Sequence, residues 1–68
     1  MSDAEIVLRI DATEGPTVQV GDTVRQGQRL AAGGPETEAT VAPVSGTITR
    51  IDFDAAAHEF VVVIRPHV

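Results

Sequence analysis

The sequence has 68 residues, no cysteine and a formal net charge of −5, with ten acidic residues against five arginines and no lysine. A chain of this length buries only about 60% of its unfolded surface, which predicts one domain over residues 1–68 with a thin core and argues against a self-contained enzyme. Without cysteine there are no disulfides, thiolate metal sites or cysteine-held iron–sulfur clusters, and the acidic balance argues against nucleic-acid binding.

The sequence offers no sign of a targeting or membrane-spanning segment. Its longest apolar run, Phe60–Ile64, is far too short to cross a bilayer. The N-terminus carries Asp3 and Glu5 near Met1, unlike a signal peptide. We therefore expect a soluble, cytoplasmic protein without a membrane span, although the end of the sequence leaves open whether the chain is a fragment of a larger subunit.

Short β-branched runs between turn residues predict six strands and no long helix. The predicted strands are Glu5–Ile10, Thr17–Val20, Gln28–Ala32, Thr37–Ala42, Thr47–Phe53 and Glu59–Arg65. Val18 and Val20 are expected on one face of the second strand, Val24 in the apolar layer and Leu30 as the anchor of the third strand. The pattern is typical of a small all-β sandwich or barrel.

Several turns are also predicted between these strands. Gly33-Gly34-Pro35-Glu36 is the plainest hairpin signal in the sequence. Asp54–His58 could hold one helical turn capped by Asp54. Ile48 and Ile51 fall out of strict alternation, which predicts a bulge or a twist between them.

Six residues are interpreted as turn residues rather than as parts of a catalytic site: Gly21, Asp22, Gly27, Pro43, Ser45 and Gly46. Pro43 has no N–H for a ladder, and Ser45-Gly46 is expected to turn the chain because glycine reaches positive φ. Asp22 is expected to stabilise a turn, because an Asp carboxylate commonly bonds the backbone two residues further along the chain. Ser45 lacks a base that would make it a nucleophile, so we expect no catalytic residues.

Two runs in this order resemble a known family: V-G-D-T-V-R-Q-G-Q-R-L at Val20–Leu30 and A-P-V-S-G-T-I at Ala42–Ile48. They are similar to the V-G-D-x-V-x-x-G-Q-x-L and A-P-x-x-G-x-I/V motifs of the biotinyl/lipoyl-like barrel-sandwich hybrid. The resemblance covers about half of the chain, Thr17–Ile51. It implies an all-β barrel-sandwich hybrid with two pseudo-symmetric halves of short strands.

The best-known members of that family carry biotin or lipoyl on a lysine at a hairpin tip. This sequence has no lysine, and an arginine guanidinium is a poor nucleophile, so neither amide linkage can form. The lysine-free hairpin instead resembles the barrel-sandwich segment in the C subunit of Rnf-type electron-transport complexes and in the A subunit of sodium-pumping NADH:quinone reductase. The iron–sulfur and nucleotide regions that accompany it there are missing from this sequence.

The resemblance implies a non-catalytic interaction or scaffold module without a cofactor, whose protein partners include redox subunits. Gly33, Gly34, Pro35 and Glu36 at the hairpin tip are candidate contacts for a basic partner. Two alternatives stay open. One is a degenerate carrier-type domain within a biotin- or lipoyl-dependent enzyme system, and the other is a small domain that binds a ligand or a metal.

Two further patterns have a structural and a functional interpretation. His58 lies among the carboxylates Asp52, Asp54 and Glu59, which could hold an adventitious metal but more simply form a solvated loop. The run Phe60–Ile64 is either a central strand or part of an interface at which it pairs with or packs on a second chain. The oligomeric state is not determined by the sequence.

Overall fold

The computed structural model describes residues 4–32 and 40–67. Within those residues all regular secondary structure is β: β1 (Ile6–Asp11), β2 (Thr23–Val24), β3 (Gly46–Asp54) and β4 (Glu59–Pro66). The four strands form one antiparallel sheet in the order β1-β4-β3-β2. The prediction of an all-β fold is confirmed.

The core lies between one face of this sheet and the loop segments that cross it. Because side chains alternate along a strand, every second side chain of β1, β3 and β4 lies on that face. The segments 15–32 and 40–44 close over it from the other side. The buried core residues are Ile10, Val18, Val24, Leu30, Ala31, Ala42, Ile48, Val62 and Ile64. Val24 and Leu30 are fully buried, as the sequence predicts.

Backbone hydrogen bonds join the loop segments into a second layer with little regular strand. Pro16 forms an isolated antiparallel bridge with Ala31, and Arg29 forms another with Val41. The Leu30 N–H also donates to the Thr40 carbonyl over 2.9 Å. Of the predicted third and fourth strands, the described residues therefore show only these bridges.

The predicted second strand, Thr17–Val20, is wrong. Val18 is buried but Val20 is 61% exposed, so the two side chains do not share a covered face. The backbone turns at this point because the Gln19 N–H donates to the Asp22 carboxylate over 2.9 Å, and the Asp22 N–H donates to the Gln19 carbonyl. These local bonds occupy groups that a strand would offer to a neighbour.

The β3–β4 hairpin carries the predicted bulge. Ile48 pairs with Ile64 and Arg50 pairs with Val63, so Thr49 is the extra residue on β3. At the end of the hairpin the chain makes a turn rather than a helix, and Asp54 Oδ1 accepts a hydrogen bond from the Ala57 N–H. The predicted capping role of Asp54 is thus realised in a hairpin turn.

The apolar run Phe60–Ile64 is part of a central strand. β4 pairs with β1 on one side and with β3 on the other, so both of its backbone edges are occupied. The hypothesis that this strand pairs with a second chain is therefore wrong. Its hydrophobicity follows from central burial, since Val62, Val63 and Ile64 are buried although their side chains alternate between the two faces.

Candidate interaction surface

The two sequence motifs meet directly in the structure. The Gly21 N–H donates to the Ile48 carbonyl over 2.7 Å, and the Ile48 N–H donates to the Asp22 carbonyl over 2.8 Å. Val24 of β2 pairs with Gly46 of β3. The V-G-D run and the P-V-S-G-T-I corner are therefore joined through the fully buried Ile48.

Gly21, Asp22 and Gly27 lie in the tight turns of the first motif. Gly21 and Gly27 have φ of +96° and +87°, in the left-handed region that glycine adopts without a Cβ clash. The Asp22 carboxylate accepts from the Gln19 N–H. The predicted direction of that bond, towards a residue further along the chain, is wrong, because the bonded N–H lies three residues earlier.

Ser45 ties the corner to the first motif. Its Oγ accepts a hydrogen bond from the Gln26 N–H over 3.0 Å, and its carbonyl accepts one from the His67 N–H. Pro43 lies exposed at the bend before it. The Ser45 hydroxyl thus serves as a backbone acceptor, with no histidine ring or carboxylate hydrogen-bonded to it among the described residues.

Position 46 requires glycine for a different reason from the one that the sequence suggests. It is buried at the start of β3, and its φ is not in the left-handed region. A Cβ at this position would lie 2.3 Å from the Arg65 carbonyl oxygen and 2.8 Å from Ile64 Cγ2. The prediction of a positive φ at Gly46 is wrong, and the residue is glycine because β4 passes too close for any side chain.

The hairpin-tip residues Gly33, Gly34, Pro35 and Glu36 lie outside the described residues. Their contact with a basic partner therefore stays a prediction. The described residues instead offer a second surface on the face of the sheet that points away from the core.

This outer face is a shallow groove with an apolar floor. Its volume is about 490 Å³, and it is lined by Val7, Arg50, Asp52, Phe53, Asp54, Ala55, Val61 and Val63. Val7 is 58% exposed and lies beside Val61 and Val63 on this face, whereas the Phe53 ring packs on Phe60 with ring centroids 5.3 Å apart. Exposed apolar side chains that gather into one patch are typical of an interaction surface, whereas scattered ones are normal.

Charged side chains form the rim of the groove in ion pairs. Arg9 Nη1 donates to Asp54 Oδ2 over 3.1 Å and lies 3.3 Å from Glu59 Oε1. Arg50 forms an ion pair with Asp52 on β3, at the other side of the groove. The hydrogen bond from Arg9, with a further one from the Ala57 N–H, lowers the pKa of Asp54. The same carboxylates raise the pKa of Arg9.

An apolar floor inside a charged rim is the ordinary anatomy of a protein–protein contact. In the described part of the chain no three His, Asp or Glu side chains are arranged to hold a metal ion. His58 instead packs edge-on against Phe53, with ring centroids 6.1 Å apart. Within the same residues no helix is long and apolar enough to cross a membrane.

The sequence interpretation missed this surface. A signal was present, because Val61 and Val63 alternate with core residues on β4 and face the charged residues of β3. The surface can be recognised only when the register of three strands is known. Val7, Val63 and Arg50 lie side by side on β1, β4 and β3.

Comparison with known proteins identifies a family. None of the curated proteins and none of the solved structures resembles the chain significantly. The family model described as the RnfC barrel sandwich hybrid domain matches residues 6–66. The match spans both motifs and all four strands, in agreement with the resemblance drawn from the motifs. The chain belongs to the RnfC barrel sandwich hybrid domain family.

Proposed function

We propose that this chain is a non-catalytic protein-interaction module of an electron-transport assembly of the Rnf type. The observation that carries the proposal is the family match over residues 6–66. The chemistry of the sequence supports it, since a chain without lysine has no side-chain amine for biotin or lipoate and a chain without cysteine cannot hold an iron–sulfur cluster through thiolates.

The outer-face groove is the proposed contact for a redox subunit. Its apolar floor supplies area to bury, and its ion-paired rim supplies orientation. The net charge of the chain is −5, so charge complementarity favours a basic surface on the partner. Association is then expected to weaken as salt rises, because exposed charges are screened.

The test is association of the purified chain with purified redox subunits of an Rnf-type assembly, measured by calorimetry. Val61→Lys places a cation on the floor of the groove and is expected to weaken binding about tenfold or more, since unpaired buried charge is costly. Val20→Lys is the matched control, because Val20 is an exposed valine in the turn at residues 19–22, away from the groove. Absence of binding by the wild-type chain, or equal binding by both variants, would contradict the proposal.

The alternative of a degenerate carrier-type domain makes a separate prediction. Such a domain would bind subunits of a biotin- or lipoyl-dependent enzyme in place of redox subunits. Coexpression with biotin ligase and with lipoate ligase, followed by intact-mass measurement, is expected to give the unmodified mass. A stoichiometric adduct would overturn the argument from the missing lysine.

A further inference from the structure

We propose that the outer edge of β1 pairs with β1 of a second copy of this chain, antiparallel and centred on Val7. The outer edge of an end strand presents unpaired N–H and C=O groups, which form a template for another strand. β1 is the end strand of the sheet and pairs with β4 alone in the part of the chain that the structure describes. This contact uses the backbone edge of β1, whereas the proposed redox-subunit contact uses the groove beside it, and the two contacts share Val7 and Arg9.

β1 lacks three of the devices that usually protect an edge. Its six residues, Ile6–Asp11, contain no proline and no lysine, and its pairing with β4 continues without a bulge. Val7 is 58% exposed on it. A six-residue strand also has the length of an ordinary sheet strand, so a second copy would find a complete template.

Charge selects one register. With Val7 opposite the second copy's Val7, Glu5 lies opposite the second copy's Arg9, and the symmetry repeats this pair at the other end. All three side chains belong to the outer face, where Val7 pairs with Val63 and Arg9 with Val61. On the core side the same register places Ile6 opposite the second copy's Leu8. Opposite charges directly across a strand pair stabilise it.

Arg9 and Glu5 can each form a further hydrogen bond in this contact. The Arg9 side chain is 51% exposed, and its ion pairs with Asp54 and Glu59 both use Nη1. A guanidinium has five N–H donors, so others remain for a carboxylate. Glu5 is exposed and, among the described residues, accepts one bond, of 3.2 Å from Thr49 Oγ1.

Registers shifted towards the end of β1 are opposed by charge, and a shift by one residue is opposed by polarity. A register centred on Leu8 places Glu5 against the second copy's Asp11, and one centred on Arg9 places two guanidinium groups together. A shift by one residue exchanges the faces, so that Ile6 meets the second copy's Arg9. The interface is small, and interfaces below about 1,200 Å² are weak, so we expect dimers in the high micromolar range.

Sedimentation equilibrium of charge-swapped variants tests the proposal. Glu5→Arg and Arg9→Glu each replace both attractive pairs by repulsive ones, so each variant alone is expected to raise the dimer dissociation constant about tenfold or more. An equimolar mixture of the two variants restores both attractive pairs and is expected to form a heterodimer. Glu14→Arg, in the turn after β1, and Arg25→Glu change the charge equally outside the residues that face each other in this register, and they are expected to leave association unchanged.

Val7→Lys keeps the test decisive if Arg9→Glu fails to fold, because Val7 is largely exposed and two ammonium groups would meet at the centre of the interface. It is expected to abolish dimers while preserving the thermal unfolding transition. A wild-type chain that stays monomeric at about 1 mM would overturn the proposal. So would a Glu5→Arg or Val7→Lys variant that associates like the wild type, or a mixture of the two folded charge variants that does not form a heterodimer.

Discussion

The two motif segments use the same residue type for opposite reasons. In the first segment, Gly21 and Gly27 have positive φ, and a Cβ at either would meet nothing within 4 Å. In the second segment, Gly46 has an ordinary φ but no room for a Cβ beside the Arg65 carbonyl. Gly21 and Gly27 are required by the local backbone conformation, whereas Gly46 is required by the close approach of the neighbouring strand.

The halves around these segments differ in the same way. Between residues 12 and 32 the described backbone has one two-residue strand and two isolated bridges, and its turns depend on bonds such as that from the Gln19 N–H to Asp22. Between residues 46 and 66 a nine-residue strand pairs with an eight-residue strand. Local turn chemistry thus organises the first half, and sheet packing organises the second.

The largest expected effect is that of Gly46→Ala. The added Cβ would lie 2.3 Å from backbone, which cannot yield as a flexible side chain does, so β3 and β4 must separate locally. We expect the free energy of unfolding to fall by about 3 kcal/mol, measured by urea denaturation. A loss below about 1 kcal/mol would contradict the close approach, because overpacking of a rigid site costs more than that.

Gly21→Ala and Gly27→Ala are the matched substitutions in the first half. Their Cβ atoms would meet open space, so the cost is the left-handed backbone alone, about 1–2 kcal/mol each. The same urea titration measures it. A loss equal to that of Gly46→Ala would remove the distinction between the two segments.

Substitution of His58 tests whether a left-handed backbone conformation also affects stability in the second half of the chain. Among the described residues it is the non-glycine residue with positive φ, at +55°. His58→Gly and His58→Ala both remove the ring that packs on Phe53, but only glycine relieves the backbone. We expect His58→Gly to be more stable than His58→Ala by about 1 kcal/mol in thermal or urea unfolding. Equal stabilities would show that the hairpin turn does not need this conformation in solution.

The smallest expected effect is on the pH dependence of stability. Hydrogen bonds from the Thr13 hydroxyl and backbone N–H lower the pKa of Asp11, and Arg9 with the Ala57 N–H lowers that of Asp54, from an ordinary value of 3.8. A lowered folded-state pKa stabilises fully above the unfolded value, and that contribution is lost as the pH falls through the folded pKa.

Melting temperature followed from pH 7 down to pH 2 is therefore expected to drop below about pH 4. Asp11→Asn and Asp54→Asn should each flatten part of that drop, one in the turn that follows β1 and the other at the β3–β4 hairpin. A pair of variants with the wild-type acid profile would contradict the assigned hydrogen bonds.

The sequence predicted what local pattern determines. Alternating β-branched residues located β1, β3 and β4 to within a residue or two, and broken alternation placed an irregularity between Ile48 and Ile51, where the structure has a bulge at Thr49. It could not distinguish the strand-like Thr17–Val20 from a turn, because Asp22 captures the Gln19 N–H only in the folded chain.

Contacts between distant segments explain the remaining misses. The reason for Gly46 lies in the path of β4 past it, and the outer-face groove exists only once β1, β4 and β3 are in register. Neither depends on a short run of residues. Single residues such as Val7 and Arg50 therefore carried no functional signal in the sequence, although they meet in the fold.

The proposed interaction role is tested most directly by nuclear magnetic resonance of the ¹⁵N-labelled chain titrated with redox subunits of an Rnf-type assembly. The Glu5→Arg variant is used so that β1 self-pairing does not contribute. Saturable amide shifts are expected at Arg50, Val61 and Val63 on the outer face, with little change at the Gly21 and Gly27 turns. Absence of saturable shifts, or shifts confined to those turns, would contradict an interaction through the outer face.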